Sequence, residues 1–121
     1  VSFISLKHIF PVADLLCAPD ACGVCLVKPQ FEAGRDKVGK KGVVRDPATH
    51  REVIMAAASY AAANHFSALG LDFSPIKGPE GNIEFLLFVR HCAEPQQLDE
   101  ATADAVVKAA HAALDSAPNL H

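Results

Sequence analysis

A short apolar segment that ends in a lysine and a proline constrains the fold of this chain most. Residues 21–27 are apolar and few enough to form a buried strand, and Lys28 and Pro29 follow directly. Because proline has no N–H to donate to a sheet ladder, the strand is predicted to stop at Lys28. In open α/β sheets, ligands bind beyond the carboxyl ends of strands, so Lys28 is a candidate functional residue. The simpler alternative is a strand that reaches solvent at this point.

The composition predicts one globular domain. The 121 residues are half hydrophobic and 21% charged, which is typical of a folded chain with a single core. No apolar run approaches the ~20 residues needed to cross a bilayer. The chain opens on Val1 with no basic segment before an apolar run, so we expect no signal peptide and predict a cytoplasmic location.

The net charge of −3 conceals a basic segment on an acidic protein. Residues 28–51 contain seven cations and three anions, whereas the rest of the chain contains four cations and eleven anions. A local cluster of cations in an acidic protein is typical of an anion-binding site. A solvated loop that carries lysines for solubility would show the same pattern, and charge alone leaves both interpretations open.

The cysteines and histidines form no recognisable metal-site pattern. Cys17, Cys22 and Cys25 have the spacing that opens plant-type iron–sulfur motifs. A separation of three residues within a strand, however, points Cys22 and Cys25 to opposite faces. We therefore expect buried free thiols in a reducing compartment. The histidines are expected at the surface or at interfaces rather than as metal ligands: His50, His65, His91, His111 and His121.

Hydrophobic periodicity predicts strands that alternate with helices. Strands are predicted at residues 1–6, 21–28, 67–76 and 83–90, helices at 7–17, 47–66 and 99–114, a long loop at 29–45 and a turn at 77–82. Asp46-Pro47 is a typical helix start, with aspartate as N-cap and proline at the first position. The first three strands are expected to be parallel because helices separate them, and the last strand antiparallel.

This topology predicts that Lys28 and Glu84 lie at one edge of the sheet. Lys28 ends the second strand, and Glu84 begins the antiparallel last strand. Glu84 is also an acid in an otherwise apolar strand, where a carboxylate is costly unless it is paired or functional. A purely structural Lys28–Glu84 ion pair remains an alternative to a catalytic site.

Four segments resemble a known family. They are VSFISL at residues 1–6, LVKPQFEAGR at 26–35, VGKKGVVRD at 38–46 and SPIKGPEGNIEF at 74–85. They resemble the TlyA-type hemolysin family, whose members contain an FtsJ-like methyltransferase domain. The resemblance covers residues 1–90, and residues 91–121 are expected to form a helical tail. It implies an α/β fold: the carboxyl-terminal half of a Rossmann-like class I methyltransferase sheet, mostly parallel with an antiparallel last strand and helices on both faces.

The resemblance also implies a function. Members of the family methylate ribose 2'-hydroxyls of ribosomal RNA with S-adenosylmethionine, through a Lys-Asp-Lys-Glu tetrad. Lys28 matches the second lysine and Glu84 the glutamate, whereas the aspartate would fall just before Val1. The first lysine and the cofactor loop are also absent, so the chain is expected to be an inactive fragment on its own. The resemblance further implies that cations of the basic segment and the turn bind RNA phosphates: Arg35, Lys37, Lys40, Lys41, Arg45 and Lys77.

Two further expectations follow from a fragment of this kind. A non-catalytic RNA-binding or assembly module that keeps the basic loop is the alternative to an enzyme. An exposed sheet edge and uncovered apolar surfaces would favour self-association, with a dimer as the simplest product. Membrane lysis, which the family name suggests, is not supported because the sequence has no strongly amphipathic cationic helix.

Overall fold

The chain folds into a three-stranded sheet covered by helices. The computed structural model describes residues 5–34, 38–39 and 42–115. Its elements in chain order are α1 (Leu6–Leu16), β1 (Cys22–Val27), the short helix α2 (Pro29–Glu32), α3 (Pro47–Ala63), β2 (Phe66–Phe73), a 3₁₀ turn (Pro79–Gly81), β3 (Phe85–His91) and α4 (Glu100–Leu114).

Local sequence signals set the starts of the two long helices. The Asp46 side chain accepts a hydrogen bond from the N–H of Ala48, and Pro47 occupies the first position of α3, as predicted. Asp99 accepts from the N–H of Ala101 in the same way at the start of α4. Helix α3 ends three residues before the predicted end, because the chain turns at His65 with a φ of 65°.

The strand order is β1-β3-β2, and both ladders are antiparallel. The prediction of an antiparallel last strand is confirmed, but that of a mostly parallel sheet is wrong for the described strands. Strands β1 and β2 run in the same direction, yet they do not pair, because β3 returns after a short connection and inserts between them. Phe85 pairs with Val27 on one side and with Phe73 on the other.

Two other predicted elements differ from the structure. The strand predicted at residues 1–6 lies mostly outside the described residues, and Leu6 already belongs to α1, whose N-cap is Ser5. The long loop predicted at 29–45 begins with the short helix α2, since Pro29 at the first helical position favours a turn of helix there.

The described helices share one core with a single face of the sheet. Alternate β3 residues Phe85, Leu87 and Val89 are buried on this face, in one cluster with Ile54 of α3 and Val107 of α4. This cluster supplies most of the hydrophobic stabilisation of the fold.

The opposite face of the sheet is open. Val24 and Leu26 of β1 and Phe88 of β3 are 57%, 42% and 36% exposed. The prediction of helices on both faces is therefore wrong for the part of the chain that the structure describes. Among these residues, no helix is long and apolar enough to cross a membrane.

A histidine at the end of β3 fastens α1 to the sheet. The His91 Nε2 atom lies 2.7 Å from the Asp14 carboxylate, its Nδ1 lies 3.1 Å from the carbonyl oxygen of Ala18, and its ring stacks on Phe66. Both ring nitrogens face oxygen acceptors, so the imidazolium form satisfies both contacts. The hydrogen bond to Asp14 raises the pKa of His91 above 6.5, and the bonds to His91 and His65 lower the pKa of Asp14 below 3.8.

This contact predicts a pH dependence of stability. Because the pKa of His91 is raised in the folded state, its contribution is fully present below pH 6.5 and is lost as the pH rises through the folded-state pKa. The contribution is lost again as the pH falls below about 4, because the Asp14 carboxylate, whose pKa is lowered in the folded state, then becomes protonated. We expect the His91→Gln protein to unfold at lower urea concentration than the wild type at pH 6, with a smaller difference at pH 8.5.

The matched control is His8→Gln, because His8 is exposed on α1. It should leave the pH dependence of the urea midpoint unchanged. Equal differences between wild type and His91→Gln at both pH values would contradict the proposed contribution of the imidazolium.

Candidate functional site

The candidate site lies at the sheet edge where β1 and β2 end and β3 begins. The β1–β3 ladder ends at the pair Val27 and Phe85, so Lys28 and Glu84 are the next residues at this edge. The N–H of Ser74, after β2, donates to the carbonyl oxygen of Glu84 at 2.9 Å. The structure thus places both sequence-predicted catalytic residues together, as the predicted antiparallel last strand requires.

The Glu84 carboxylate is buried and is held by a glutamine. Glu84 is 7% exposed, and its Oε2 atom accepts a hydrogen bond of 3.2 Å from Nε2 of Gln30 on α2. An ion pair between Lys28 and Glu84 is not among the contacts within the described ranges. The Lys28 ammonium instead lies 5.9 Å from the ring centroid of Phe31, where a cation and an aromatic face attract each other.

Gly78 leaves the space that the Glu84 carboxylate occupies. A Cβ atom added to Gly78 would collide with the carboxylate carbon and oxygen of Glu84. The φ of Gly78 is −72°, which any residue adopts, so the requirement for glycine here is steric.

Glu32 fixes α2, which carries Gln30, against the start of α1. Its Oε1 accepts from the Ser5 hydroxyl at 2.7 Å, and its Oε2 accepts from the N–H of Leu6 at 3.0 Å. The carboxylate therefore satisfies an N–H at the amino end of α1, where negative charge is favoured. The residues LVKPQFE thus supply Lys28, the amide that holds Glu84 and the carboxylate that anchors α2.

Asn82 fastens the end of the basic loop to the turn before β3. Its side chain is 1% exposed; the Oδ1 atom accepts from the N–H of Val44 at 2.9 Å, and Nδ2 donates to the carbonyl oxygen of Gly42 at 2.8 Å. Its own carbonyl oxygen accepts from the N–H of Gly78 at 2.7 Å. Asn82 therefore positions the loop through its buried side-chain amide and the turn beside Glu84 through its backbone carbonyl.

The predicted RNA-binding cations differ in how the structure places them. Arg45 is exposed beside the Asn82 anchor. Lys77 forms an ion pair of 2.8 Å with Asp115, after α4. The remaining four predicted cations lie outside the described residues: Arg35, Lys37, Lys40 and Lys41.

A chain of polar contacts connects the basic loop to α4. His50 Nε2 donates to the carbonyl oxygen of Val44 at 2.9 Å, and its Nδ1 lies 2.8 Å from Nε2 of His111. His111 Nδ1 contacts the Asp115 carboxylate, which also binds Lys77. Since burial lowers the pKa of His50, the neutral His50 ring is favoured as acceptor between the two histidines.

The surface position predicted for His50 is wrong. Its side chain is fully buried and its ring packs edge-on against Phe85. The sequence contained the signal, because the apolar stripe of α3 at Val53, Ile54 and Ala57 extends back by one turn to residue 50.

The cysteines also differ from expectation. Cys17 and Cys22 are exposed free thiols, so burial was predicted wrongly for these two. Cys25 is half-buried, and burial raises the pKa of its thiol to about 11, which makes it a poor nucleophile at neutral pH. Within the described residues, no cluster of three or more His, Cys, Asp or Glu side chains could hold a metal ion.

Replacing Gly78 tests the steric argument. We expect Gly78→Ala to lower the free energy of unfolding by about 1–3 kcal/mol, because the new methyl group would displace the buried Glu84 carboxylate from its hydrogen bond with Gln30. Gly23→Ala is the matched control, since no atom lies within 4 Å of the position that its Cβ would take. Urea denaturation of both variants measures the difference, and equal stabilities would refute the steric role of Gly78.

Replacing Asn82 tests the loop anchor. Leucine has a volume similar to that of asparagine but cannot form either side-chain hydrogen bond of Asn82. We therefore expect Asn82→Leu to lower the free energy of unfolding by about 2–4 kcal/mol. Amide hydrogen exchange at Val43 and Val44 should accelerate more than exchange in β3. Unchanged protection of these two amides would show that the loop does not depend on Asn82.

Comparison with known proteins places this arrangement in a family. The family model of the FtsJ-like methyltransferase matches residues 1–91. The "Putative rRNA methyltransferase YqxC" of Bacillus subtilis is 50% identical over 117 residues, covering 94% of this chain and 42% of that protein. The "16S/23S rRNA (cytidine-2'-O)-methyltransferase TlyA" of Mycobacterium tuberculosis is 38% identical, covering 98% and 42%.

A solved structure agrees with this similarity. The structure described as "Putative hemolysin from Streptococcus thermophilus" superposes with a TM-score of 0.90 at 41% identity and covers 96% of this chain and 42% of the other. The chain spans about two fifths of the length of these relatives. With a family match over most of its residues and relatives of up to 50% identity, the chain belongs to the FtsJ-like methyltransferase family.

Proposed function

We propose that this chain supplies the methyl-acceptor half of an S-adenosylmethionine-dependent rRNA 2'-O-methyltransferase. The observation that carries the proposal is the juxtaposition of Lys28 and Glu84 at the sheet edge, beside a basic loop anchored by Asn82. The TlyA protein named above is described as a 16S/23S rRNA (cytidine-2'-O)-methyltransferase, which supports the same reaction class for a protein that contains this chain.

The chemistry requires a base beside the ribose. A 2'-hydroxyl is a poor nucleophile, so its proton must leave as the oxygen attacks the methyl group in line. In this proposal the Nζ atom of Lys28 takes the proton, and Glu84 orients the resulting ammonium. The oxygen–methyl bond forms while the sulfur–methyl bond breaks, so the proton ends on the lysine and the methyl group on the ribose.

The described residues fit the acceptor side of the reaction. S-adenosylmethionine, when bound, supplies the methyl group. The described helix starts at Ser5 and Pro47 are already occupied by carboxylates of Glu32 and Asp46, which disfavours them as cofactor sites. We therefore assign the proton transfer and the ribose contact to this chain. The adenosyl contacts are assigned to other parts of a protein as long as the relatives named above.

The basic loop is proposed to bind RNA phosphates. Arg45 is exposed at the anchored end of the loop, and Lys77 is one third exposed although it contacts Asp115. Cations that contact successive phosphates would position the ribose without reading the base sequence.

The exposed apolar face of the sheet, with Val24, Leu26 and Phe88, is the surface through which the isolated chain would self-associate. Self-association stays a prediction.

Methyl transfer by the full-length gene product tests the proposal. With radiolabelled S-adenosylmethionine and ribosomal RNA, we expect Lys28→Ala and Glu84→Ala to lower the rate by about 10²–10⁴-fold, because both act at the proton transfer. Lys7→Ala and Glu94→Ala are matched controls at exposed positions and should retain activity.

Two outcomes would contradict the assignment. Normal activity of Lys28→Ala would exclude this lysine as the base. A wild-type protein that binds rRNA but transfers no methyl group would favour the non-catalytic RNA-binding module instead.

A further inference from the structure

Gln30 has a buried carbonyl oxygen without a partner. Its Nε2 donates to Glu84, but its Oε1 is buried and accepts no hydrogen bond in the described structure. This contact orients the amide, because the NH₂ group of Gln30 donates to the Oε2 atom of Glu84. The oxygen must therefore point away from Glu84.

An unsatisfied buried acceptor is costly for folding. Such a group destabilises a protein relative to an apolar side chain of similar shape, and nearly all buried polar atoms in proteins have partners. A methionine would fill the same volume beside Glu84 without this cost. The exception therefore indicates that Gln30 serves a purpose other than stability.

The position of Gln30 limits which donor can reach its oxygen. Lys28 and Gln30 flank Pro29 in the first turn of α2, at the sheet edge that Glu84 occupies. The Oε1 atom is buried, and the flexible Lys28 side chain begins at the N-cap of the same short helix, with its ammonium 5.9 Å from the ring centroid of Phe31. An ammonium group has three donors and needs several acceptors when it is withdrawn from water.

We propose that Gln30 is a positioning residue whose carbonyl oxygen accepts a hydrogen bond from the Lys28 ammonium formed by proton transfer. Its NH₂ group meanwhile holds the Glu84 carboxylate, so that both acceptors face the ammonium. This inference rests on the proposed function, since it assigns to Lys28 the ribose proton. The helix that carries Gln30 is held rigid by the contacts of Glu32 with Ser5 and Leu6.

Two substitutions of Gln30 have opposite expected effects. Gln30→Met removes the acceptor, which makes the ammonium less favourable, so the rising limb of the pH–rate profile should move to lower pH. Gln30→Glu adds a negative charge beside the ammonium, so the same limb should move to higher pH. In the full-length protein, we expect Gln30→Met to lower kcat about 10–100-fold, with KM for RNA changed less than twofold.

A readout independent of activity comes from NMR. In protein labelled with ¹³C-lysine, the titration midpoint of the Lys28 Cε resonance should move down in Gln30→Met and up in Gln30→Glu, with Lys28→Arg identifying the resonance. Gln97→Met is the control, because Gln97 is exposed. A purely structural role of Gln30 would change stability without opposite shifts.

The outcomes separate this inference from the proposed function. If Lys28→Ala abolishes methyl transfer but neither Gln30 variant shifts the pH–rate limb or the Lys28 resonance, the role of Gln30 is refuted and the proposed function stands. Shifts of the resonance in the same direction also refute it. If Lys28→Ala remains active while the two variants shift the resonance oppositely, Gln30 positions the lysine and the proposed reaction is wrong.

Discussion

The insertion of β3 between β1 and β2 is the constraint on which the rest of the structure depends. Because Phe85 pairs on both sides, the first residues of β3 lie beside the last residues of two other strands. Three chain segments thus converge at one edge, and each delivers its next residue there. The backbone pairing of β3 with both neighbours therefore brings Lys28, Ser74 and Glu84 to the same edge.

The buried Glu84 carboxylate shows how the fold tolerates a costly group at this edge. A carboxylate removed from water needs hydrogen bonds or compensating charge. Here Gln30 supplies one donor, and the absence of a side chain at Gly78 supplies the space. A helix only four residues long could not fix Gln30 by itself, and the contacts of Glu32 with the start of α1 provide the missing support.

A second set of polar contacts ties the basic loop to the opposite side of the domain. Asn82 binds the backbone at Val44 and Gly42, and His50 binds the Val44 carbonyl from α3. Through His111, the same chain of contacts reaches Asp115 beyond α4. The helical tail beyond the family-like segments is therefore connected to the loop by polar contacts that are buried at His50 and become partly exposed at Asp115.

The sequence by itself determined the three longer helices and the three described strands to within a few residues, and the edge that Lys28 and Glu84 share. These features depend on local signals: apolar periodicity, the caps Asp46 and Asp99, the proline after Lys28 and the short connection before β3. Only the tertiary structure decided the strand order, the open face of the sheet, the burial of His50 and the contact of Gln30 with Glu84. Strand pairing and side-chain hydrogen bonds join residues that are distant in the chain, as Gln30 and Glu84 are, and no local pattern specifies which of the possible partners will meet.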